Sequence, residues 1–141
     1  MRQDFTKRVI IVVRRDLVGW QSHNAVAHIS AFIGNRLWNS FGTGDNFTTK
    51  DKAEYPRNSQ YPIIVKRANS SEQLKNLLEK ARHERVVHHA FIREMLTFTD
   101  DEALQGEVST KHDHELELLA IGVFGENDTV SSMTKKYGLW E

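Results

Sequence analysis

The chain has 141 residues, 39% hydrophobic and 27% charged, and its nineteen basic side chains balance nineteen acidic ones. That is the size and composition of one soluble domain with its own core, and the balance speaks against a dedicated nucleic-acid binder, which carries a basic excess. There is no cysteine, which excludes a disulfide framework, a thiol nucleophile and a cysteine zinc site.

The polar opening "MRQDFTKR" leads straight into a strand pattern and does not read as a signal peptide. No apolar run approaches the roughly 20 residues that span a bilayer, so the expectation is a cytoplasmic protein with no membrane partner. "RVIIVV" is β-branched and continuously apolar after Arg8, as a central strand covered on both faces would be. From Ser22, read as a cap, the spacing turns helical: Ala25, Ile29, Phe32, Ile33 and Arg36 share one face, with Val26 and Leu37 beside it. Residues 38–60, rich in Gly, Asn, Thr, Ser and Lys, read as one long loop of the kind that is often functional or mobile.

"YPIIVKRA" reads as a second strand, with Pro62 tolerated near its start. "SSEQLKNLLEKARHE" reads as a second helix with Leu74, Leu77, Leu78 and Ala81 as its core stripe and Ser70 with Gln73 as a capping box. "VVHHAFIREMLTFT" holds a strand, either near 86–90 or near Met95, and "DDEALQGEVSTKHDHE" is a loop or short helix. "LELLAIGVFG" is a strong strand, "TVSSMTKK" a short helix opened by Thr129, and "YGLWE" a terminal strand. The early strand–helix–strand order predicts parallel pairing with right-handed crossovers, and the later strands are expected as antiparallel edges. The whole predicts one α/β domain of three layers, a mixed β-sheet with helices on both faces.

Seven histidines invite a metal reading. His23 and His28 are five apart and diverge by roughly 140° on a helix, so they do not share a face. His112 and His114 in "KHDHE" would point one way from a strand, but they lack a third ligand at an obvious spacing, and the polar segment reads as solvated loop. No metal site and no cofactor are therefore expected. There is no Gly-x-Ser-x-Gly elbow, and "DLVGWQSHN" after the first strand carries neither a P-loop nor a dinucleotide pattern.

What remains is the turn after the first strand, where open α/β sheets place their ligands. Arg14, Arg15, Asp16, Trp20, Gln21 and Asn24 fall there, with His28 one helical turn beyond Asn24. Trp20 reads either as a stacking surface or as a lid over the helix start. His28 reads either as a satisfied half-buried histidine or as a functional one, a general base near neutral pH.

The same stretch carries a resemblance. "VIIVVRRDL" followed by "AVAHISA", then "IIVKRANSSEQLKNLLEKA" and "LLAIGVFGENDTVSSMTKKYGLW", resembles the type 2 peptidyl-tRNA hydrolases over nearly the whole chain. Trp20-Gln21, Asn24 to His28, "FIREM", Gly122 to Gly125 and Leu139-Trp140 resemble more closely a related, functionally uncharacterised bacterial family. The resemblance implies a peptidyl-tRNA hydrolase II-like fold and a homodimer, and brings no known activity. The hydrolases use a lysine in the turn, an aspartate at the end of the third strand and a threonine before the Ala-Ile-Gly strand. Gln21, Thr97 and Glu117 fall at those places here. The resemblance thus implies the scaffold without the cation that would bind phosphate or stabilise an oxyanion, and with a carboxylate that would repel an RNA backbone.

Three functions compete. One is binding of, or action on, a small polar ligand, with His28 and Gln21 as the reacting pair and Asp16, Trp20, Asn24, Thr97 and Glu117 as ligand contacts. A second is a surviving peptidyl-tRNA hydrolase, with tRNA held by Arg14, Arg15, Lys66 and Lys111, which the residue changes disfavour. The third is a non-catalytic homodimeric interaction protein presenting Trp38, Phe41, Phe47 and Trp140.

Overall fold

The computed structural model describes residues 3–42 and 45–141. Strand β1 (Lys7–Arg14) is central, as its unbroken apolar run requires: Val9 to Val13 are each at most 1% exposed. It pairs in parallel with β4 (Ile63–Ala68) on one side and antiparallel with β6 (Leu118–Glu126) on the other, and β6 pairs antiparallel with β5 (Val87–Ile92). The sheet order is β4-β1-β6-β5, a four-stranded mixed sheet in which β4, β1 and β5 run the same way.

Alternate side chains of β1 feed two cores. Val9, Ile11 and Val13 meet helix α1 (Gly19–Leu37) through Ala25, Ile29 and Ile33. Ile10 and Val12 meet α2 (Ser71–Glu84) and α5 (Asn127–Thr134) on the opposite face through Leu74, Leu77, Ala81 and Val130. The three layers expected from the sequence are therefore present. The Ser70 cap of α2 is as expected, its hydroxyl accepting from the Gln73 amide at 3.2 Å, but the reciprocal half of the box is shifted by one residue: the Gln73 side chain accepts from the Asn69 amide at 2.8 Å and not from that of Ser70.

Several expectations need correction. Helix α1 starts at Gly19, so Ser22 is inside its first turn and its hydroxyl donates to the Gly19 carbonyl at 2.9 Å instead of capping. Thr129 likewise lies within α5. The segment 38–60 is not simply a loop: it carries a 3₁₀ turn, Trp38–Ser40, and a two-stranded ribbon of β2 (Phe47–Thr48) and β3 (Glu54–Tyr55). Residues 43 and 44 of that segment are outside the described residues. The third large strand ends at Ile92, and Met95 sits in the one-turn helix α3 (Glu94–Thr97), followed by α4 (Asp101–Val108). The Ala-Ile-Gly strand β6 is not an edge but lies between β1 and β5, because its side chains are apolar on both faces. The terminal "YGLWE" adds a single bridge, Lys66 with Leu139, along the outer edge of β4.

One contact fixes how α1 lies on the sheet. A Cβ at Gly122 would stand 2.2 Å from Ile29 Cγ2 and 3.2 Å from Ile33 Cδ1, so the helix rests where glycine leaves room. Gly106, inside α4, meets nothing within 4 Å. Gly122→Ala should therefore destabilise the fold by about 1–3 kcal/mol through overpacking, and Gly106→Ala should stabilise it by about 0.5–1 kcal/mol through helix propensity. Urea denaturation of the two variants beside the native chain checks both signs.

Candidate functional site

The carboxyl ends of β4, β1 and β5 lie at one end of the sheet, together with the start of β6 and the N-terminus of α1. Four charged side chains are joined there. Arg14, the last residue of β1, donates from Nε and Nη2 to the Asp16 carboxylate at 3.0 and 2.6 Å, and from Nη1 to Glu117 Oε1 at 2.6 Å. Arg93, the first residue after β5, donates from Nε to Glu117 Oε2 at 3.2 Å and from Nη2 to Oε1 at 3.0 Å. Glu117, just ahead of β6, thus bridges two guanidiniums, and Asp16 closes the chain of charges at the other end.

A bulge places Glu117 there. Phe91 pairs with Ala120 but Ile92 pairs with Leu118, so Leu119 is an extra residue in β6. The Arg93 amide then donates to the Glu117 carbonyl at 3.0 Å, which sets these two residues opposite each other. Side-chain direction alternates along a strand, so in an unbulged register Leu118 would stand opposite Arg93 and Glu117 would be carried to the other face.

The electrostatics follow the geometry. The hydrogen bonds from Arg93, with Arg14 beside it, lower the Glu117 carboxyl from 4.5 to about 2. Hydrogen bonding to Arg14 likewise holds the Asp16 carboxyl below its ordinary range. The two arginines are pushed up in return, Arg14 chiefly by Asp16 and Arg93 chiefly by Glu117. All four groups are charged at neutral pH, and their charges cancel.

Alongside runs the edge of α1 that carries Gln21, Asn24 and His28. Gln21 and Asn24 are half-buried, and their side-chain amides have no hydrogen-bond partner among the described residues. His28 is exposed, and its ring lies stacked at 6.0 Å from that of Phe91, two residues ahead of Arg93. One turn further along, Phe32 stacks on His89 at 4.4 Å. These stacks hold this edge of α1 beside the end of β5 that bears Arg93.

Of the residues expected from the sequence, Asp16 and Glu117 are brought together by Arg14, and Gln21, Asn24 and His28 line up as spaced. Trp20 is 62% exposed and stands in the first turn of α1 beside Val18, which is 54% exposed, so it is not a lid over the helix start. Thr97 is misplaced by the strand reading. It ends α3, is exposed, and its hydroxyl donates to the Arg93 carbonyl at 3.4 Å, whereas the third large strand ends at Ile92 and the residue directly after it is Arg93. Arg93 is the member of this charged chain that the sequence reading did not single out, and its signal was a lone arginine directly after an apolar run in "FIREM".

The other candidates fall elsewhere. His112 and His114 stand around a 3₁₀ turn, Asp113–Glu115, with parallel rings 5.7 Å apart, and among the described residues no three His, Asp or Glu side chains are placed to hold a metal ion. Two of the four cations that a tRNA surface would draw on are engaged by other groups of the chain: Lys66 donates to the Thr134 carbonyl at 2.9 Å, and Lys111 pairs with the buried Glu94 at 2.7 Å. No described helix is long and apolar enough to cross a membrane.

A family profile described as "Protein of unknown function (DUF2000)" matches residues 7–141. The solved structure of a protein of unknown function from Agrobacterium tumefaciens strain C58 is similar with a TM-score of 0.84 at 20% identity, over 98% of this chain and 100% of that one, a likeness of fold alone. No curated protein sequence matches the chain.

The depressed Glu117 carboxyl has a pH consequence. The ion pairs stabilise the fold above the ordinary value of 4.5, and that contribution is lost as pH falls from there towards about 2. With the side chain 41% exposed, solvent screening limits the contribution to about 1 kcal/mol. Glu117→Gln should lower stability at pH 7 by about that amount and flatten the acid limb of the stability curve between those two pH values. Denaturant midpoints measured across the acid range test both effects.

Proposed function

Because the chain belongs to the DUF2000 family of proteins of unknown function, we propose its function from its own residues: the carboxyl end of the sheet binds a small polar ligand. The observation that carries this reading is the neutral chain Asp16–Arg14–Glu117–Arg93 beside two half-buried amides that have no partner among the described residues. Arg14 spends Nε, Nη1 and Nη2 on the two carboxylates and is a positioning residue. Arg93 uses only Nε and Nη2, which leaves Nη1 for an acceptor on the ligand. Gln21 and Asn24 each offer an amide donor and acceptor to the same ligand. The exposed ring of Trp20 supplies a flat apolar wall.

Proton transfer at this site falls to His28. Glu117, lowered to about 2, is too weak a base for work at neutral pH, and Asp16 is lowered too. Thr97 enters only at the periphery, through its bond to the Arg93 backbone.

The relation to the type 2 peptidyl-tRNA hydrolases is part of the same proposal. It is supported by the order of motifs and by the mixed sheet with its strand-end turn, and the hydrolase reaction itself is the weaker reading. Gln21 stands where those enzymes have a lysine, and the two arginines nearby are already neutralised by carboxylates. A homodimer is proposed with it, supported by the outer edge of β5, which pairs with no strand among the described residues.

Thermal-shift screening of small polar metabolites should give a hit whose shift is lost in Asn24→Ala and in Arg93→Met but kept in His114→Ala. Shifts indifferent to Asn24 and Arg93 would move the site elsewhere. The runner-up is tested by release of an N-acetylated amino acid from its tRNA: no turnover is expected from the native chain, and clear turnover would make the hydrolase reading the better one.

A further inference from the structure

A second recess lies on the opposite face of the sheet, between α2 and the 3₁₀ turn Asp113–Glu115, with a volume of about 270 Å³. Its floor is Ala90 and Ile92 of β5 with Leu118 of β6, and Leu78 and Leu116 close its sides. This volume is at the small end of ligand sites, which run about 300–1,000 Å³. Apolar walls give water few partners there, and an apolar body would recover the dispersion contacts that the walls lack.

The turn is strapped over the recess by one face of α2. Lys75 and Arg82 are seven residues apart, two turns along the helix. The Lys75 ammonium donates to the His114 carbonyl, and Arg82 donates to the two Asp113 oxygens at 3.1 and 3.4 Å. Both links are exposed, and exposed ionic contacts contribute little, so the strap opens at low cost.

The charge pattern selects the occupant. Glu79 and Asp113, the acids lining the recess, both pair with Arg82. Lys75 makes no salt bridge among the described residues; its ammonium donates to a backbone carbonyl, with Asp113 near enough to feel its charge. An ammonium with two remaining donors therefore stands at the mouth of an apolar recess. We propose that this recess binds a small monocarboxylate, its apolar body against Ala90, Ile92 and Leu118 and its carboxylate on Lys75.

The test is a titration of the intact chain followed through its backbone amides by NMR, with hexanoate and, in parallel, with hexan-1-ol, which shares the body and lacks the charge. Hexanoate should shift the amides of Leu78, Ala90 and Leu116 and bind about tenfold more tightly than the alcohol. Lys75→Met should erase that preference while leaving the alcohol's affinity unchanged. Ala90→Leu, which fills the recess, should weaken both probes by about tenfold or more. If that variant does not fold, Leu116→Phe fills the recess from the other side and should do the same. Shifts confined to other surfaces, hexanoate affinity unchanged in both Lys75→Met and the filling variant, or no shift with either probe at roughly millimolar concentration would each overturn the proposal.

Discussion

Gly122 has no side chain, and the placement of the site depends on that gap. Ile29 reaches to within 2.2 Å of where a Cβ would stand, so the axis of α1 lies closer to the sheet than any other residue at this position would permit. Once Ala25, Ile29 and Ile33 face the sheet, the rotation of the helix is fixed, and Gln21, Asn24 and His28 must share one edge. That edge falls on the β5 side, as the stacking of His28 on Phe91 and of Phe32 on His89 records. A backbone position in the middle of β6 thereby decides where three polar side chains stand at the end of β5.

The extra residue in β6 does the complementary work from the sheet. Leu119 shifts the register between Phe91 and Ile92, and Glu117 comes to face Arg93. A glutamate at this place, considered alone, looks like a repulsive charge at the mouth of a strand-end site. In the folded chain it is the shared acceptor that keeps two guanidiniums at one place, and without it Arg14 and Arg93 would repel each other. The pair of arginines thus gives the glutamate a structural reason.

The parts of the fold that were legible in the sequence are those set by local periodicity. The apolar run of β1, the leucine stripe of α2 and the strength of β6 each announce their own burial, and all three are buried as read. The start of α1 was misread because its N-cap residue, Val18, makes no side-chain cap, so Ser22 was the first residue with a capping chemistry. The ribbon β2–β3 was hidden because each strand is two residues long, shorter than any alternation can report. In the site, the α1 residues were legible because helical spacing is local. Arg93 and its pairing with Glu117 were not, because they depend on a bulge and on contacts between residues 24 apart in sequence, which no local pattern encodes.

The balance of charge in the composition is reproduced at the site itself, and this bears on what can bind there. An RNA backbone draws its affinity from cations that are free to replace condensed counterions. At this end of the sheet Arg14 is committed to Asp16 and Glu117, and Arg93 has given two of its three nitrogens to Glu117. Lys111 is held by Glu94 and Glu107, and Lys66 by the carbonyl and hydroxyl of Thr134. A polyanion would have to displace carboxylates already seated at hydrogen-bonding distance, and would gain little in exchange. A ligand with one acceptor for Arg93 and a few polar groups for Gln21 and Asn24 displaces nothing. The ligand proposed for this end of the sheet is therefore a small, weakly charged polar molecule, not a polyanion.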